Sequence, residues 1–496
     1  MTSSSAWTLL ILAAGLQYVG SDNPEAPPQG GQEASNGQPP LSSTDDEALF
    51  LTPLIDACEY YTAREKSKVN FASLGANITA HSGYITVNNT QGNKSHLFFV
   101  LTEVEGNSSE APLLLWTQGG PGLSALFGLY LENGPVAFYA SETMTPILQL
   151  REKTLQKNMS VLYLDLPVGS GFSFTNETGA YPTKMQDVVD HVMQFLEQFL
   201  RVFSEYRQRD FYLAGESYGA RYSVSVANEL LKNPENHGSV DLRLKGVISG
   251  NGFLGPIYSI ANSSDFLYSV SMLTAENRDL FAQKFNLMET LVLETKYADA
   301  LGLLSTTIFA DPTWSRPTLF QNLTLYSDHA SPLFTQRPAR MLACFVYLNT
   351  STDLRKALHV GKNAIFQYDN RDLQTSFALD WLTNMNSTVE NVLAESSMLF
   401  YTGQIDALFP SVKQREYLSL LSWTSAAQYK TAQRFLWKPY PLYYGFAGYI
   451  KETEQLIDAV LLGMSHYGAV DKPDQVYDLI MYFLDKQKKK KALKPV

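Results

Sequence analysis

The segment Phe211-Tyr-Leu-Ala-Gly-Glu-Ser217-Tyr-Gly-Ala-Arg-Tyr222 restricts this chain more than any other. Phe211 to Ala214 is an apolar run of strand length, and Ala220 to Leu231 repeats apolar residues at helical spacing. Between them Gly215-Glu216-Ser217-Tyr218-Gly219 has room only for a tight turn. Strand, G-x-S-x-G turn and helix together describe a nucleophile elbow, in which the serine hydroxyl stands out at the end of a sheet and the next backbone N–H faces the reacting carbonyl. The five residues alone fit an ordinary glycine-flanked turn; the elements on either side favour the elbow.

The rest of the chain supplies a sheet for such an elbow. Gly83–Asn88 and His96–Leu101 read as paired antiparallel strands at a sheet edge. Pro112–Thr117, Val161–Asp165, Leu244–Ser249, Met398–Tyr401 and Leu456–Leu462 are continuous apolar runs, as in strands covered on both faces. Helical patterns alternate with them, at Val188–Phe203 and again from about Asp474 to Asp485. The expected fold class is therefore α/β, with a central mostly parallel sheet. From 253 to 343 the rhythm breaks into helical periodicity, predicting an inserted helical cap between core parts 48–252 and 344–485. Residues 486–496 read as a basic, solvated and frayed tail.

A serine nucleophile needs a base, and the base needs an orienting carboxylate. On this fold the chain order is serine, acid, histidine. Of His81, His96, His191, His237, His329, His359 and His466, only His466 follows the penultimate core strand. Asp406, in Tyr401-Thr-Gly403-Gln-Ile-Asp406, also follows an apolar run. Taken singly, these are a loop histidine and a turn carboxylate. In this order, at the carboxyl ends of strands, they are the candidate base and orienter. A second oxyanion donor is expected after an earlier strand, and the glycine-rich turn of Leu115-Trp-Thr-Gln-Gly-Gly-Pro-Gly122 fits. A phosphate cradle there lacks the Lys-Ser/Thr pair that should follow it.

Composition narrows the setting. A hydrophobic content of 45% fits a large core, and a formal charge of −11 disfavours nucleic acid as a partner. Residues 1–20 resemble a signal peptide without its usual basic start, and 21–47 a disordered polar leader. No later run approaches the ~20 apolar residues of a membrane span. Sequons at Asn77, Asn88, Asn93, Asn107, Asn158, Asn176, Asn262, Asn322, Asn349 and Asn386 agree with a secreted or lysosomal destination. The two cysteines, Cys58 and Cys344, form either one long-range bridge or two free buried thiols.

Trp116–Gly122, Glu132-Asn-Gly-Pro135, Asp165-Leu-Pro-Val-Gly-Ser-Gly-Phe-Ser173, Gly215–Gly219 and Gly403–Asp406 together resemble the serine carboxypeptidases, an α/β-hydrolase branch, and within it the vitellogenic-like group. The likeness spans about Ala48 to Asp485. It implies a Ser217–Asp406–His466 triad and an oxyanion hole from the N–H groups of Gly120 and Tyr218. It also implies a grip on the substrate's terminal carboxylate by Gln118, Glu132 and Glu216, braced by Trp116. No cofactor or metal is implied; the partners are peptide or protein C-termini, and the chain is a monomer or homodimer. Three carboxylates together would repel, so one glutamate must be protonated, and activity should favour acid.

Departures from the resemblance are confined to a few positions. Gly219-Ala220 reverses the usual small pair, Val224 replaces a proline, and Gln118 stands where many relatives carry asparagine. Tyr467-Gly-Ala-Val-Asp-Lys-Pro473 differs from the usual run after the histidine. The changed histidine loop keeps open a catalytically silent binding or storage protein. A second reading is an acyltransferase or esterase using the same triad, as some relatives of the resembled family are; it would need an acyl-acceptor pocket in place of the carboxylate grip, and the intact Glu132 and Glu216 argue against it.

Overall fold

Twelve strands, β1 (Ala80–Asn88), β2 (Lys94–Thr102), β3 (Leu113–Thr117), β4 (Val136–Ala140), β5 (Pro146–Leu150), β6 (Ser160–Leu164), β7 (Asp210–Glu216), β8 (Arg243–Gly250), β9 (Met398–Gly403), β10 (Phe435–Trp437), β11 (Gly448–Glu452) and β12 (Leu456–Leu461), organise the computed structural model. It describes residues 47–493 apart from 72–77, 90, 108, 142–144, 233–238 and 310–315. Ten strands form one sheet in the order β1-β2-β6-β3-β7-β8-β9-β12-β11-β10. From β6 to β12 the neighbours are parallel; β1, β2, β11 and β10 extend the sheet antiparallel at its two edges.

The apolar runs lie in the centre of this sheet because both faces are covered. Along β2, Leu97, Phe99 and Leu101 enter one core while Phe98 and Val100 enter the other, the period-two alternation of a pleated strand. The helix Met185–Val202 buries Val188, Val192, Phe195 and Phe199 on the first face. The last helix, Pro473–Leu493, buries Val476, Leu479, Ile480 and Phe483 on the second.

Several boundaries differ from expectation. The helical stretch does not end at 343: that boundary falls inside the helix Ala339–Thr350, and helices continue to Asn386–Glu395 before β9 begins. Periodicity could not show this, because the helices after 343 also bury apolar faces. The hairpin β4–β5 and the short strands β10 and β11 lie outside the expected strands; Val136–Ala140 and Phe435–Trp437 are apolar but only five and three residues long. The basic stretch does not fray from 486 to 490: it continues the final helix, with Lys486 Nζ 3.0 Å from Glu452 and Lys490 Nζ 3.0 Å from Ser397 Oγ.

No bridge joins Cys58 and Cys344; both are free, Cys58 exposed and Cys344 buried in the helix Ala339–Thr350, where burial pushes its thiol pKa up. The expectation of two buried thiols therefore holds only for Cys344. Residues 1–46, Asn77 and the side chain of Asn107 lie outside the described residues. Of the other sequons, Asn88, Asn158, Asn176, Asn322 and Asn349 are exposed, while Asn93, Asn262 and Asn386 are half-buried. No helix among the described residues is long and apolar enough to cross a membrane.

Candidate active site

The turn after β7 is as tight as its glycines suggest. A β-carbon on Gly215 would lie 2.1 Å from Gly219 O, and one on Gly219 would lie 2.8 Å from Thr117 O. Ser217 sits at φ 55°, a left-handed conformation costly for a side chain with Cβ. Two backbone bonds hold it there: Ser217 N donates to Gly250 O at 2.8 Å, and Phe253 N donates to Ser217 O at 3.1 Å.

Asp406 and His466 come to this turn from the ends of β9 and β12. His466 Nε2 lies 3.0 Å from Ser217 Oγ, and Nδ1 lies 2.8 Å from Asp406 Oδ2. Asp406 is fully buried, and its other oxygen accepts from Leu408 N at 2.9 Å and Phe409 N at 2.8 Å. A carboxylate at Nδ1 fixes the proton there and leaves Nε2 free to accept from the serine. Burial disfavours the imidazolium, but Asp406, Glu216 and Asp328 outweigh it and raise the pKa of His466. The changed sequence after His466 keeps this geometry: Asp471 Oδ2 accepts from Ser465 N at 2.8 Å, and Tyr467 OH binds Asp328 of the helical insert.

Beside the serine, Gly120 has φ 113°, and a β-carbon on it would lie 2.6 Å from Gly122 N. A β-carbon on Gly119 would lie 2.8 Å from Ser217 Cβ, so this turn lies directly against Ser217. Among the described residues, neither Gly120 N–H nor Tyr218 N–H has an acceptor. The Tyr218 side chain points away, its hydroxyl bound to Asp380 of the insert.

The four residues expected to hold a carboxylate are all buried and connected. Trp116 Nε1 donates to Gln118 Oε1 at 3.0 Å, and Gln118 Nε2 reaches Glu216 Oε2 at 3.2 Å and Glu132 Oε1 at 3.5 Å. Burial raises the pKa of both glutamates. Glu132 is pushed well up, because the Glu216 charge and the hydrogen bond between the two carboxyls add to burial. The buried pair therefore holds a proton at pH values where an exposed carboxyl would have lost it. The approach is close enough that a β-carbon on Gly468, two residues past the histidine, would lie 1.7 Å from Glu216 Oε1.

One residue absent from the sequence reading joins these parts. Asn251, at φ 44° just after β8, donates through Nδ2 to Ser465 O at 3.1 Å and His466 O at 3.2 Å. Its Oδ1 accepts from Gly403 N at 2.8 Å. The side chain thereby ties the histidine loop to the strand end that leads into Asp406. Its signal was an asparagine between glycines at the carboxyl end of a parallel strand, Ser249-Gly-Asn-Gly252. Asp328 and Asp380 carried no local signal, because only the folded insert brings Asp328 to the histidine loop and Asp380 to the elbow. Among the described residues no group of three or more His, Cys, Asp or Glu is placed to hold a metal ion.

A parallel sheet, an elbow serine, and a histidine and aspartate from later strand ends define an α/β hydrolase. Within that class the chain belongs to the serine carboxypeptidase family, whose pattern matches residues 71–486. It is 32% identical to the venom serine carboxypeptidase of Apis mellifera over 88% of this chain and 90% of that protein. It is 30% identical to the probable serine carboxypeptidase CPVL of Homo sapiens, covering 90% and 91%, and 27% identical to the vitellogenic carboxypeptidase of Aedes aegypti, covering 96% and 98%. The prohormone-processing carboxypeptidase of Saccharomyces cerevisiae shares the fold, with a TM-score of 0.72 at 18% identity over 85% of this chain and 96% of that one. The chain is a serine-type carboxypeptidase by family.

Proposed function

We propose that the chain removes the C-terminal residue of peptides through an acyl-enzyme, in the acidic part of the secretory pathway. Ser217 Oγ attacks the last peptide carbonyl as His466 Nε2 takes its proton, and Gly120 and Tyr218 N–H donate to the oxyanion. His466 returns the proton to the leaving amino group, the C–N bond breaks, and a free amino acid departs. Water, deprotonated by His466, then attacks the ester and releases the shortened peptide. Asp406 holds the imidazole throughout.

The observation that carries this reading is the buried Glu132–Glu216–Gln118 cluster beside the nucleophile. An esterase or acyltransferase has no use for a protonated carboxyl pair there. A protonated Glu132 lets the pair offer a hydrogen bond to a substrate carboxylate instead of repelling it. The sequons and the leader-like start support a secretory route.

Purified protein incubated at about pH 5 with blocked dipeptides, beside Ser217→Ala, tests the proposal. Free C-terminal amino acid released only by the wild type is the expected outcome. Turnover of esters without peptides would replace it with acyl-transfer chemistry. Absence of both, with no labelling by a fluorophosphonate, would make the protein a binding module.

A further inference from the structure

The far edge of the sheet carries an exposed surface that is both apolar and basic. Between Glu416 and Glu452 the chain has no acidic residue but four cations, Lys430, Arg434, Lys438 and Lys451, although the whole chain carries −11. This segment includes the edge strand β10 and the loop that joins it to β11. Phe435, Leu436, Tyr440 and Phe446 are exposed there, with Leu442 at 92% and Tyr444 at 100% of their full exposure.

The loop is preformed. Ala447 N donates to Trp437 O at 2.9 Å, Tyr443 N to Tyr440 O at 3.0 Å, and Lys438 Nζ to Tyr443 O at 3.2 Å. Gln475 Nε2, from the final helix, reaches Tyr443 OH at 3.3 Å. Arg434 lies 4.3 Å over the Tyr449 ring and Lys438 5.1 Å over Phe446, which keeps each cation beside an aromatic face. Exposed apolar tips on a braced loop, flanked by Arg434 and Lys438, match the chemistry of a bilayer interface; the acids Asp474 and Asp478 are held beside Lys153 at the Tyr440 end.

We propose that this hairpin docks the protein on an anionic lipid surface, with Leu442 and Tyr444 entering the headgroup layer and Arg434 and Lys438 meeting lipid phosphates or carboxylates. A second copy of the chain fits less well. A two-fold contact would set the cations of one hairpin against those of the other, with no acid in the segment to compensate. Extension through β10 is also blunted by its three-residue length and by Pro439 and Pro441.

Flotation of the full chain at about pH 7 with phosphatidylcholine vesicles, with and without phosphatidylserine, tests the proposal; net repulsion at that pH leaves only local attraction to drive binding. The wild type should float with the anionic vesicles and not with the neutral ones. Leu442→Asp/Tyr444→Asp and Arg434→Glu/Lys438→Glu should each weaken partition by about tenfold or more, with the thermal midpoint and peptide turnover unchanged. A wild type that stays unbound, or variants that float equally well, would overturn it. So would light scattering in which the wild type is a dimer that these variants dissolve, without flotation, since the hairpin would then be an interface between copies.

Discussion

Asn251 is the residue whose consequence is sharpest. It contacts no reacting atom in the proposed mechanism, yet its side chain bonds to Ser465 O, His466 O and Gly403 N. Asn251→Ala removes three hydrogen bonds that set the histidine loop against the approach to Asp406, so the imidazole loses its alignment more than the enzyme loses substrate affinity. The expected result is a fall in kcat of roughly 10- to 100-fold with KM nearly unchanged. Asn251→Asp can still accept from Gly403 N but cannot donate to the two carbonyls, so its kcat should lie between. Equal loss in both variants, or a rise in KM alone, would remove Asn251 from the positioning role. The carboxyl pair gives a second prediction. His466 must be neutral to accept the serine proton, and its raised pKa sets an acid limb on kcat/KM; the protonated pair sets the alkaline limb. The Glu216 charge is one cause of the raised His466 pKa, so Glu216→Gln should move the acid limb to lower pH while weakening KM. An acid limb that stays in place would show that the histidine does not feel this charge. Ser217, Asp406 and His466 were legible in the sequence because each follows a strand in the order the fold imposes. Asn251 was not, because nothing in a short segment says which two distant loops an asparagine will bridge.

At the scale of elements, the helical insert supports the elbow. Asp380 lies in the short helix Ala378–Leu382, and its carboxylate takes Tyr218 OH together with Arg221 Nε at 2.8 Å. Arg221 also donates to Asp380 O at 2.9 Å and to Thr383 O at 3.0 Å, and both charged residues are buried. Removing one partner of such a pair leaves the other charge without compensation. Asp380→Ala should therefore cost about 3–5 kcal/mol. The double variant Asp380→Leu/Arg221→Met should recover much of that, because the strandless charge is gone as well. Denaturant titrations of the three proteins decide it: a double variant no more stable than Asp380→Ala would mean the bonds to Tyr218 and Thr383 matter more than the pair. The strands that bracket the site were legible from apolar runs, and the insert was legible as helical. Its true end near Glu395 was hidden, since helices on either side of 343 have the same periodicity, and Val389, Val392 and Leu393 enter the same core as Phe281 and Phe285.

For the whole molecule, buried titratable groups set how stability depends on pH. Burial raises the pKa of Glu132 and Glu216, and lifts Asp165 to about 7 against the opposing pull of its hydrogen bonds from Ser124, Phe172 and Ala125. For an acid whose folded pKa lies above its unfolded value, the folded state holds the extra proton. Its stabilising contribution is complete below the unfolded pKa of about 4 and is lost as pH rises through the folded value. Burial acts the other way on histidines: it lowers His96, His191 and His359, and takes His329 to about 4. These groups lose stability as pH falls from about 6.5 through their folded values. The two sets oppose one another, so the thermal midpoint should peak in weak acid and fall on both sides. The raised His466 acts with the carboxyls: its contribution is complete below about 6.5 and is lost as pH rises through its folded value. A single isosteric change separates the contributions, because glutamine reproduces a protonated glutamate and cannot ionise. In Glu132→Gln the drop in thermal midpoint between about pH 5 and pH 7.5 should shrink, while the fall below pH 5 stays the same. Scanning calorimetry of both proteins across that range reads it directly. An unchanged alkaline slope would mean that Glu132 ionises in the folded protein as easily as in the unfolded chain, and the carboxyl pair would then lose its proton-holding role in substrate recognition too.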